Sequence, residues 1–433
     1  MLTPSPLHPS IHPSIHPSIS QDAIDKLRFA KANRDATGQG FFLAAGIRRP
    51  HLTWRAPQHY VDMYPPASVA LPVQATLDPS IDPIAWTAFG NLGGDNPFNR
   101  TNTDAQVRAY RAAYYAAVSW ADYAAGRVLD ELDALGLADD TLVVLHSDHG
   151  WHLGEYNMWE KRTLWENAAR VPLIMRAPRG TIVPGGGGGG GEGGGEGGGE
   201  GGGEGGGGVA ARGARSSAPV ELVDIYATVC DVLGVALPEG ERHPVEGTSL
   251  LPLLLDPSLG ELGPQRAGSS GSGSSGSAGS PSPSPPATAS ATASATASGS
   301  SSPKWTKEAA LTTYPRCPQG GGAPDWERNS CIHSTERSDF AFMGYSMMHR
   351  NATDGAAYRY TEWLPWNGSA LAPVLVDRAR VKAVELYNHS APLPSGQSEF
   401  DSFENVNLAR APSTPPALLV ALSAKLRELF ALR

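Results

Sequence analysis

The sequence lacks several features that would assign it to a common class of protein. No apolar run approaches the roughly 18 residues that a membrane-spanning helix needs, so we expect no membrane span. No block of basic residues is present and the formal net charge is −9, which argues against binding nucleic acid through a cationic face. The first residues do not show the charged and then apolar pattern of a signal peptide.

Cysteine is also scarce, since the chain contains only Cys230, Cys317 and Cys331. Three cysteines form neither a disulfide framework nor a zinc-binding spacing. Cys317 and Cys331 could pair in an oxidising compartment, but two free thiols is the simpler interpretation. Four Asn-x-Ser/Thr triplets are a weak indication of secretion. They begin at Asn99, Asn351, Asn367 and Asn388.

Low-complexity segments divide the chain. Residues 1–21 include three copies of His-Pro-Ser-Ile, residues 185–208 contain only Gly and Glu, and residues 256–304 are rich in Ser, Ala, Pro and Gly. Such segments bury no apolar side chains, so we predict that they form a tail and two linkers. Between them, residues 22–255 are long enough for an α/β domain that the glycine segment interrupts, and residues 305–433 for a smaller C-terminal subdomain.

Hydrophobic patterning predicts an α/β fold for the first domain. Helices are predicted over 22–35, 104–135 and 220–233. Short apolar runs at 41–45, 141–146 and 171–175 predict buried strands. Because strands and helices alternate, we predict a mostly parallel central sheet that is flanked by helices.

The pattern changes in the C-terminal subdomain. Residues 343–347 and 358–363 predict two antiparallel strands around a turn at Asp354-Gly355. A helix near 415–431 follows. We therefore predict a small antiparallel sheet that this helix closes.

A polar segment follows the strand predicted at 141–146, where an open parallel sheet binds its ligands. It consists of Ser147, Asp148, His149 and Gly150. Asp148 offers a carboxylate oxygen to a divalent cation. His149 offers a nitrogen ligand, which is more typical of transition metals than of calcium. Taken alone, the segment is more simply explained as a polar turn that ends a strand.

Two further cationic side chains belong near the same edge. Lys161 would neutralise part of the charge of a metal-bound anion, although a lysine is by itself most simply a solvated side chain. His51 follows the strand predicted at 41–45, and its simpler interpretation is a hydrogen-bonded loop residue. We interpret Arg48 and Arg49 as surface charges. Together, a carboxylate, two imidazoles and an ammonium group suit a doubly charged anion that is held on a cation.

The motifs around these residues resemble a known family. The segment from Ser147 to Glu155, Ser-Asp-His-Gly-Trp-His-Leu-Gly-Glu, is followed by Trp159-Glu-Lys161 and Val171-Pro-Leu-Ile174. In this order they resemble the sulfatases of the alkaline-phosphatase-like superfamily, and His149 points to the iduronate-2-sulfatase branch.

Shorter matches extend the resemblance from residue 22 to the end of the chain, outside the two low-complexity insertions. They are Phe41-Phe-Leu-Ala-Ala-Gly46, Arg49-Pro-His51, Val223-Asp-Ile-Tyr-Ala-Thr228, Glu246-Gly-Thr-Ser-Leu-Leu-Pro252, Met343-Gly-Tyr-Ser346, Tyr358-Arg-Tyr360, Glu385-Leu-Tyr387 and Asn405-Val-Asn-Leu408.

The resemblance implies a role for each candidate residue. Asp148 and His149 would be ligands of one calcium ion, and Lys161 would contact the sulfate group. His51 would contact the sulfate ester and protonate the leaving oxygen, and Trp151 would line the pocket. The implied activity is hydrolysis of sulfuric esters on sulfated sugars, in a secreted or a lysosomal or vacuolar protein.

One part of the family pattern is missing. The family's nucleophile lies in a Cys-x-Pro/Ala-x-Arg motif and is modified to an aldehyde hydrate, but Cys230, Cys317 and Cys331 do not stand in such a motif. The family pattern also includes an Asp-Asp pair for the metal after its first strand. Here the only Asp-Asp pair before the first linker, Asp139-Asp140, precedes its strand instead of following it. We therefore expect that the first catalytic segment is absent and that the metal site is incomplete. The alternatives are a catalytically inactive sulfatase-like protein that binds sulfated glycans and a related phosphoester or phosphonate hydrolase.

Overall fold

The structure is a computed structural model that describes residues 18–87, 92, 98–99, 102–179, 213–238, 244–260, 305–317, 336–351, 355–375, 377, 380–390 and 404–432. The α-helices within them are α1 (Ser18–Thr37), α2 (Gln58–Asp62), α3 (Asp104–Ala134), α4 (Glu166–Ala169), α5 (Asp224–Leu233), α6 (Leu251–Leu255) and α7 (Pro416–Leu429). The strands are β1 (Val143–His146), β2 (His152–Leu153), β3 (Trp159–Glu160), β4 (Leu173–Arg176), β5 (Ala309–Arg316), β6 (Phe342–Arg350), β7 (Ala357–Asn367), β8 (Ala372–Pro373) and β9 (Ala383–Asn388). Residues 185–208 and most of 256–304 lie outside the described residues.

Helix α3 is the longest element and confirms the helix predicted over 104–135. It begins with a capping box in which the Thr103 hydroxyl accepts from the backbone N–H of Gln106, and the Gln106 side chain accepts from the N–H of Thr103. It ends before Gly136, which takes the left-handed conformation with a φ of 68°. Leu132 packs against Leu27 of α1, so the two predicted helices share one small core.

The strand prediction for the first domain is only partly correct. Strands β1 and β4 form where 141–146 and 171–175 predicted them, but they pair with each other in the antiparallel direction, and the strand pairs of the described residues are all antiparallel. The predicted parallel sheet is therefore not observed in this part of the chain. Since this ribbon has two strands, its side chains are half-buried and Ile174 is 61% exposed.

The strand predicted at 41–45 is wrong. These residues have no regular secondary structure, and Phe42 is 87% exposed. Phe41 and Leu43 instead pack against the α1–α3 core. An apolar run becomes a strand only when a neighbouring strand takes up its backbone hydrogen bonds, and no described strand does so here.

The C-terminal subdomain confirms the predicted antiparallel sheet. Strand β7 lies between β6 and β9, with Tyr345 opposite Glu362 and Tyr360 opposite Leu386. Helix α7 covers the sheet, as predicted, and its buried leucines form one core with Tyr360. Burying the apolar stripe of the helix against the sheet is the main stabilisation that such a short helix receives.

The C-terminal sheet packs directly on the segment that follows β1. Trp165 donates its indole N–H to Glu385 at 2.9 Å, and Trp86, Trp165 and Trp363 belong to one buried cluster. The guanidinium group of Arg316, at the end of β5, donates to the carbonyl oxygens of Ile84, Ala85 and Arg162. The subdomain therefore supports the backbone that carries the candidate site.

The cysteines correct one expectation. Cys317 is disulfide-bonded, so the simpler interpretation of two free thiols is wrong for this residue. Cys230 is a buried free thiol in α5, and Cys331 lies outside the described residues. Among the helices of the described residues, every one is too short or too polar to cross a membrane.

Candidate functional site

The site is arranged around the indole ring of Trp151. The Nζ atom of Lys161 lies 5.0 Å from the centre of this ring, the His51 ring meets it edge-on at 6.2 Å, and the His149 ring stacks at 6.4 Å. Three cationic or protonatable side chains from separate stretches of the chain thus converge on one aromatic surface. A buried aromatic face attracts a cation and holds it without a counter-ion.

Asp148 and His149 follow β1 and contact each other. Oδ2 of Asp148 lies 3.5 Å from Nε2 of His149, and the Asp148 side chain is 83% exposed. Nδ1 of His149 lies 2.8 Å from the carbonyl oxygen of Gly150. A carbonyl oxygen only accepts hydrogen bonds, so Nδ1 carries the proton and Nε2 presents a lone pair beside the carboxylate.

His51 lies in the loop after residue 45, and its ring is oriented in the same way. Nδ1 of His51 lies 2.7 Å from the carbonyl oxygen of Leu52, which again places the ring proton on Nδ1. Nε2 is then the atom that binds or releases a proton. Arg49, which the sequence indicated as a surface charge, is instead partly buried: it lies over the ring of Trp120 at 5.4 Å and donates to the His51 carbonyl oxygen at 3.2 Å.

Lys161 is held by an unusual backbone. Glu160 and Arg162 on either side of it have φ values of 74° and 84°, and Tyr156 and Asn157 have values of 58° and 56°. Residues other than glycine rarely adopt this conformation, and such strain concentrates at functional sites. Burial lowers the pKa of Lys161, Arg162 lowers it further, and Glu160 and Asp148 act to raise it. Asp148 is therefore close enough to act electrostatically on Lys161.

Buried contacts that sequence reasoning missed fix the turn between β2 and β3. Arg111 of α3 pairs with Glu155 at 3.0 Å, and Glu155 also accepts the backbone N–H of Leu153 at 2.6 Å. A Cβ atom on Gly150 would lie 2.1 Å from the carbonyl oxygen of Asn167, so only glycine fits there. A buried arginine on the apolar face of α3 is the one signal in the sequence that could have indicated a partner for Glu155.

Two buried titratable groups on the β2–β3 ribbon were also missed. His152 and Glu160 stand opposite each other in the register. Burial lowers the pKa of His152 to about 3, whereas burial raises the pKa of Glu160 to about 7, with Lys161 and Arg162 opposing that rise. Both residues belong to the motif segments and lie directly beside Trp151 or Lys161 in sequence, and their burial is what the motif does not indicate.

Only part of a metal site is present. Asp148 Oδ2 and His149 Nε2 are chemically suitable ligands that can reach one divalent cation, and the His149 tautomer is the one that metal-binding histidines adopt. No group of three or more His, Cys, Asp or Glu side chains among the described residues could complete the shell. Asp139 and Asp140 pair with Arg179 and Arg34 instead. The described residues therefore do not by themselves fit a calcium ion, which takes about six to eight oxygen ligands.

Comparison with solved structures defines the class of fold. The phosphonate monoester hydrolase SpPMH from Silicibacter pomeroyi superposes with a TM-score of 0.53 at 20% identity, over 95% of this chain and 60% of that chain. At this identity the likeness concerns the fold alone. The described residues therefore share the α/β fold of that structure.

Sequence comparison then gives the family. The sulfatase family model matches residues 18–235, which is half of the chain, and the protein belongs to the sulfatase family. Human iduronate 2-sulfatase is 30% identical over 208 residues, which are 46% of this chain and 36% of that protein. A sulfatase from Formosa agariphila is 30% identical over 197 residues, 46% of this chain and 33% of that protein. The matched segment thus spans about a third of these relatives.

Proposed function

We propose that the protein acts on sulfuric esters and that Lys161, His51 and Trp151 bind the sulfate group. The observation that carries the proposal is the convergence of Lys161, His51 and His149 on Trp151, at 5.0 to 6.4 Å. These residues come from separate stretches of a chain whose formal net charge is −9. A cationic site in an acidic protein attracts an anion locally, where the overall charge would repel it.

Lys161 would supply the fixed positive charge. Its contact within the described residues is with the face of Trp151, with no hydrogen bond or ion pair to a carboxylate, so its three N–H donors remain available to an anion. Partial burial makes such a charge more effective, because less water screens it. Three donors on one flexible ammonium group suit the oxygens of a tetrahedral sulfate.

His51 would act on the ester oxygen. With Nδ1 committed to the carbonyl of Leu52, a proton on Nε2 is the one that the ring can donate to a leaving alcohol. The carbonyl holds the orientation of the ring. Protonating the leaving oxygen removes the cost of expelling an alkoxide, which is the difficult part of ester cleavage.

We propose Asp148 and His149 as two of the ligands of a divalent cation, because Nε2 of His149 lies 3.5 Å from Oδ2 of Asp148. The described residues do not complete a site for calcium, the ion that the family resemblance implies. No step assigned here to Lys161 or His51 depends on that ion.

A sulfated sugar is the substrate class that the relatives support. The human relative is named an iduronate 2-sulfatase, and a further relative, 26% identical over 221 residues, is an ulvan-active sulfatase from Formosa agariphila. The competing proposal is a phosphoester or phosphonate ester, whose tetrahedral anion has the same shape. The charge distinguishes them, because a phosphate monoester near neutral pH carries about one negative charge more than a sulfate ester.

The nucleophile is a separate question from binding. Cys230 is buried in α5 and Cys317 is disulfide-bonded, so neither thiol is free to attack a sulfur atom at this site. Cys331 is followed by Ile-His-Ser-Thr and not by the family motif. None of the three cysteines matches the family's nucleophile motif, so we assign the binding of the sulfate ester, and not the attacking group, to the described residues.

Calorimetric titration with inorganic sulfate and with inorganic phosphate tests the proposal. We expect saturable sulfate binding that Lys161→Met weakens by about 10- to 100-fold, the value of a hydrogen bond to a charged group. Lys425→Met is the matched control, since Lys425 pairs with Glu308 at 2.9 Å in the C-terminal subdomain.

Equal loss of affinity in both variants, or no saturable binding, would contradict the sulfate site. Tighter binding of phosphate than of sulfate would favour the phosphoester alternative.

A further inference from the structure

Trp54 is an aromatic residue near His51 that no motif assigned. Its indole N–H donates to the carbonyl oxygen of Pro50 at 2.9 Å. This bond closes the loop from residue 50 to residue 54, and His51 is the second residue of that loop. Two bonds from Arg49, to the carbonyl oxygens of His51 and Arg55 at 3.2 Å each, close it further.

The Trp54 ring also joins this loop to two other parts of the molecule. It lies 6.2 Å from Tyr110 and 6.1 Å from Tyr114, both on α3. It lies 6.3 Å from Trp151 and 6.4 Å from Trp159, which flank the β2–β3 ribbon of the site. Tyr114 in turn stacks on Trp151 at 5.8 Å. Aromatic rings at these distances attract one another in specific orientations, so the cluster resists sliding as well as separation.

We infer that Trp54 is a positioning residue, which sets the separation between His51 and the Trp151–Lys161 pair. The geometric part of this inference rests only on the contacts given above. Its functional consequence rests on the proposed function, in which His51 and Lys161 reach one anion together. His51 has one ring contact with the ribbon, at 6.2 Å from Trp151, whereas Trp54 contacts the ribbon, α3 and its own loop. Without Trp54, the His51 loop would keep one aromatic contact to the rest of the site.

Trp54→Phe separates the two parts of this role. It keeps a smaller aromatic ring against α3 and the ribbon, and it removes the N–H that binds Pro50 together with the rest of the five-membered ring. Trp366→Phe is the matched control, because the indole of Trp366 donates to the carbonyl oxygen of Arg337 at 2.8 Å in the C-terminal sheet. Both variants lose the same kind of hydrogen bond and should lose similar stability. A difference between the two variants in the measurements below therefore reports the position of His51 and not a general loss of folding stability.

The first measurement is the ring-proton resonance of His51, assigned by its loss in His51→Gln. Trp151 shifts this resonance because its ring lies close by, so the signal reports their separation without any ligand. In Trp54→Phe we expect it to move towards the value of a histidine in an unfolded chain, and in Trp366→Phe to stay unchanged. Tyr110→Leu removes one aromatic contact of Trp54 with α3 and should move the same resonance. It is the second test variant and replaces Trp54→Phe if that variant does not fold.

The second measurement is calorimetric binding of inorganic sulfate. Trp54→Phe should bind about fivefold more weakly, the effect of one net hydrogen bond on a positioned group, and Trp366→Phe should bind as the wild type does. A moved resonance in a protein that binds no sulfate would refute the proposed function and keep the positioning role. An unchanged His51 resonance in both Trp54→Phe and Tyr110→Leu would overturn the inference, whatever the sulfate affinity.

Discussion

Two clusters of charged side chains, which approach each other in sequence at Lys161 and Glu166, are built in opposite ways. In the first, Arg359 of β7 is buried between Glu166 and Glu404, and His389 approaches Glu404 at 3.1 Å. In the second, Lys161 faces an aromatic ring and has no carboxylate partner among the described residues. The first cluster satisfies its own charges. The second leaves its donors open, as a site for an external anion requires.

The electrostatics of the two clusters differ accordingly. Burial alone would raise the pKa of Glu166, but Arg359, His389 and Arg170 outweigh it and lower that pKa. At Lys161 the balance is reversed, because burial lowers the pKa more than Glu160 and Asp148 raise it. Buried charge therefore differs between the two clusters: one joins the subdomains with compensated charges, and the other, under the proposed function, keeps a poorly compensated charge for a ligand.

Removing Arg359 should have the largest effect on stability. Arg359→Met leaves Glu166 and Glu404 buried without their cation, which typically costs about 3–5 kcal/mol. The measurement is the free energy of unfolding from urea titration. Arg380→Met is the control, because Arg380 and Asp377 form an exposed pair at 3.0 Å that should contribute under about 1 kcal/mol. Similar losses in both variants would show that the buried cluster does not join the subdomains.

Glu160 should make stability depend on pH with a defined sign. Burial raises its pKa from the ordinary 4.5 to about 7, so between these values the folded protein binds more protons than the unfolded chain. Stability from this group is therefore present at low pH and is lost as pH rises towards 7, by at most about 1.4 kcal/mol per pH unit.

Glu160→Gln removes that dependence and retains the size of the side chain. The difference in unfolding free energy between the wild type and this variant, followed from pH 4.5 to 7, isolates the effect from His152, which both proteins keep. The unfolding free energy of the variant relative to that of the wild type should therefore increase as pH rises. A constant difference would mean that folding leaves the pKa of Glu160 unchanged, and a difference of opposite sign would mean that folding lowers it; either result would contradict the prediction.

Replacing Lys161 should have the smallest effect on stability and the opposite sign. Lys161→Met removes a partly desolvated charge that has no ion partner and leaves an apolar chain on the face of Trp151. We expect a gain of up to about 1 kcal/mol, since groups placed for function commonly cost stability. Urea unfolding of this variant beside Lys425→Met measures it. A loss above 1 kcal/mol in Lys161→Met alone would place Lys161 with the structural cluster.

Local patterns and non-local pairing explain which elements the sequence predicted. Helix α3 was predictable because its periodicity and the capping residue Thr103 are local properties. The strand at 41–45 and the direction of β1 depend on which strand lies alongside, which a single segment does not encode. The parallel-sheet edge that the sequence predicts for His51 and Lys161 is not observed among the described residues, so only the family motif anticipates that both lie against Trp151. The Arg111–Glu155 pair joins residues 44 positions apart, and residue type alone did not connect them.

The most direct test of the central claim is a crystal structure of the chain with a bound tetrahedral anion that scatters strongly, such as tungstate. The account predicts one anion with its oxygens at hydrogen-bonding distance from Nζ of Lys161 and Nε2 of His51, beside the Trp151 ring, and no anion there in Lys161→Met. An anion bound elsewhere, for example at the exposed Arg176 and Arg179, with the Trp151 surface empty, would contradict it.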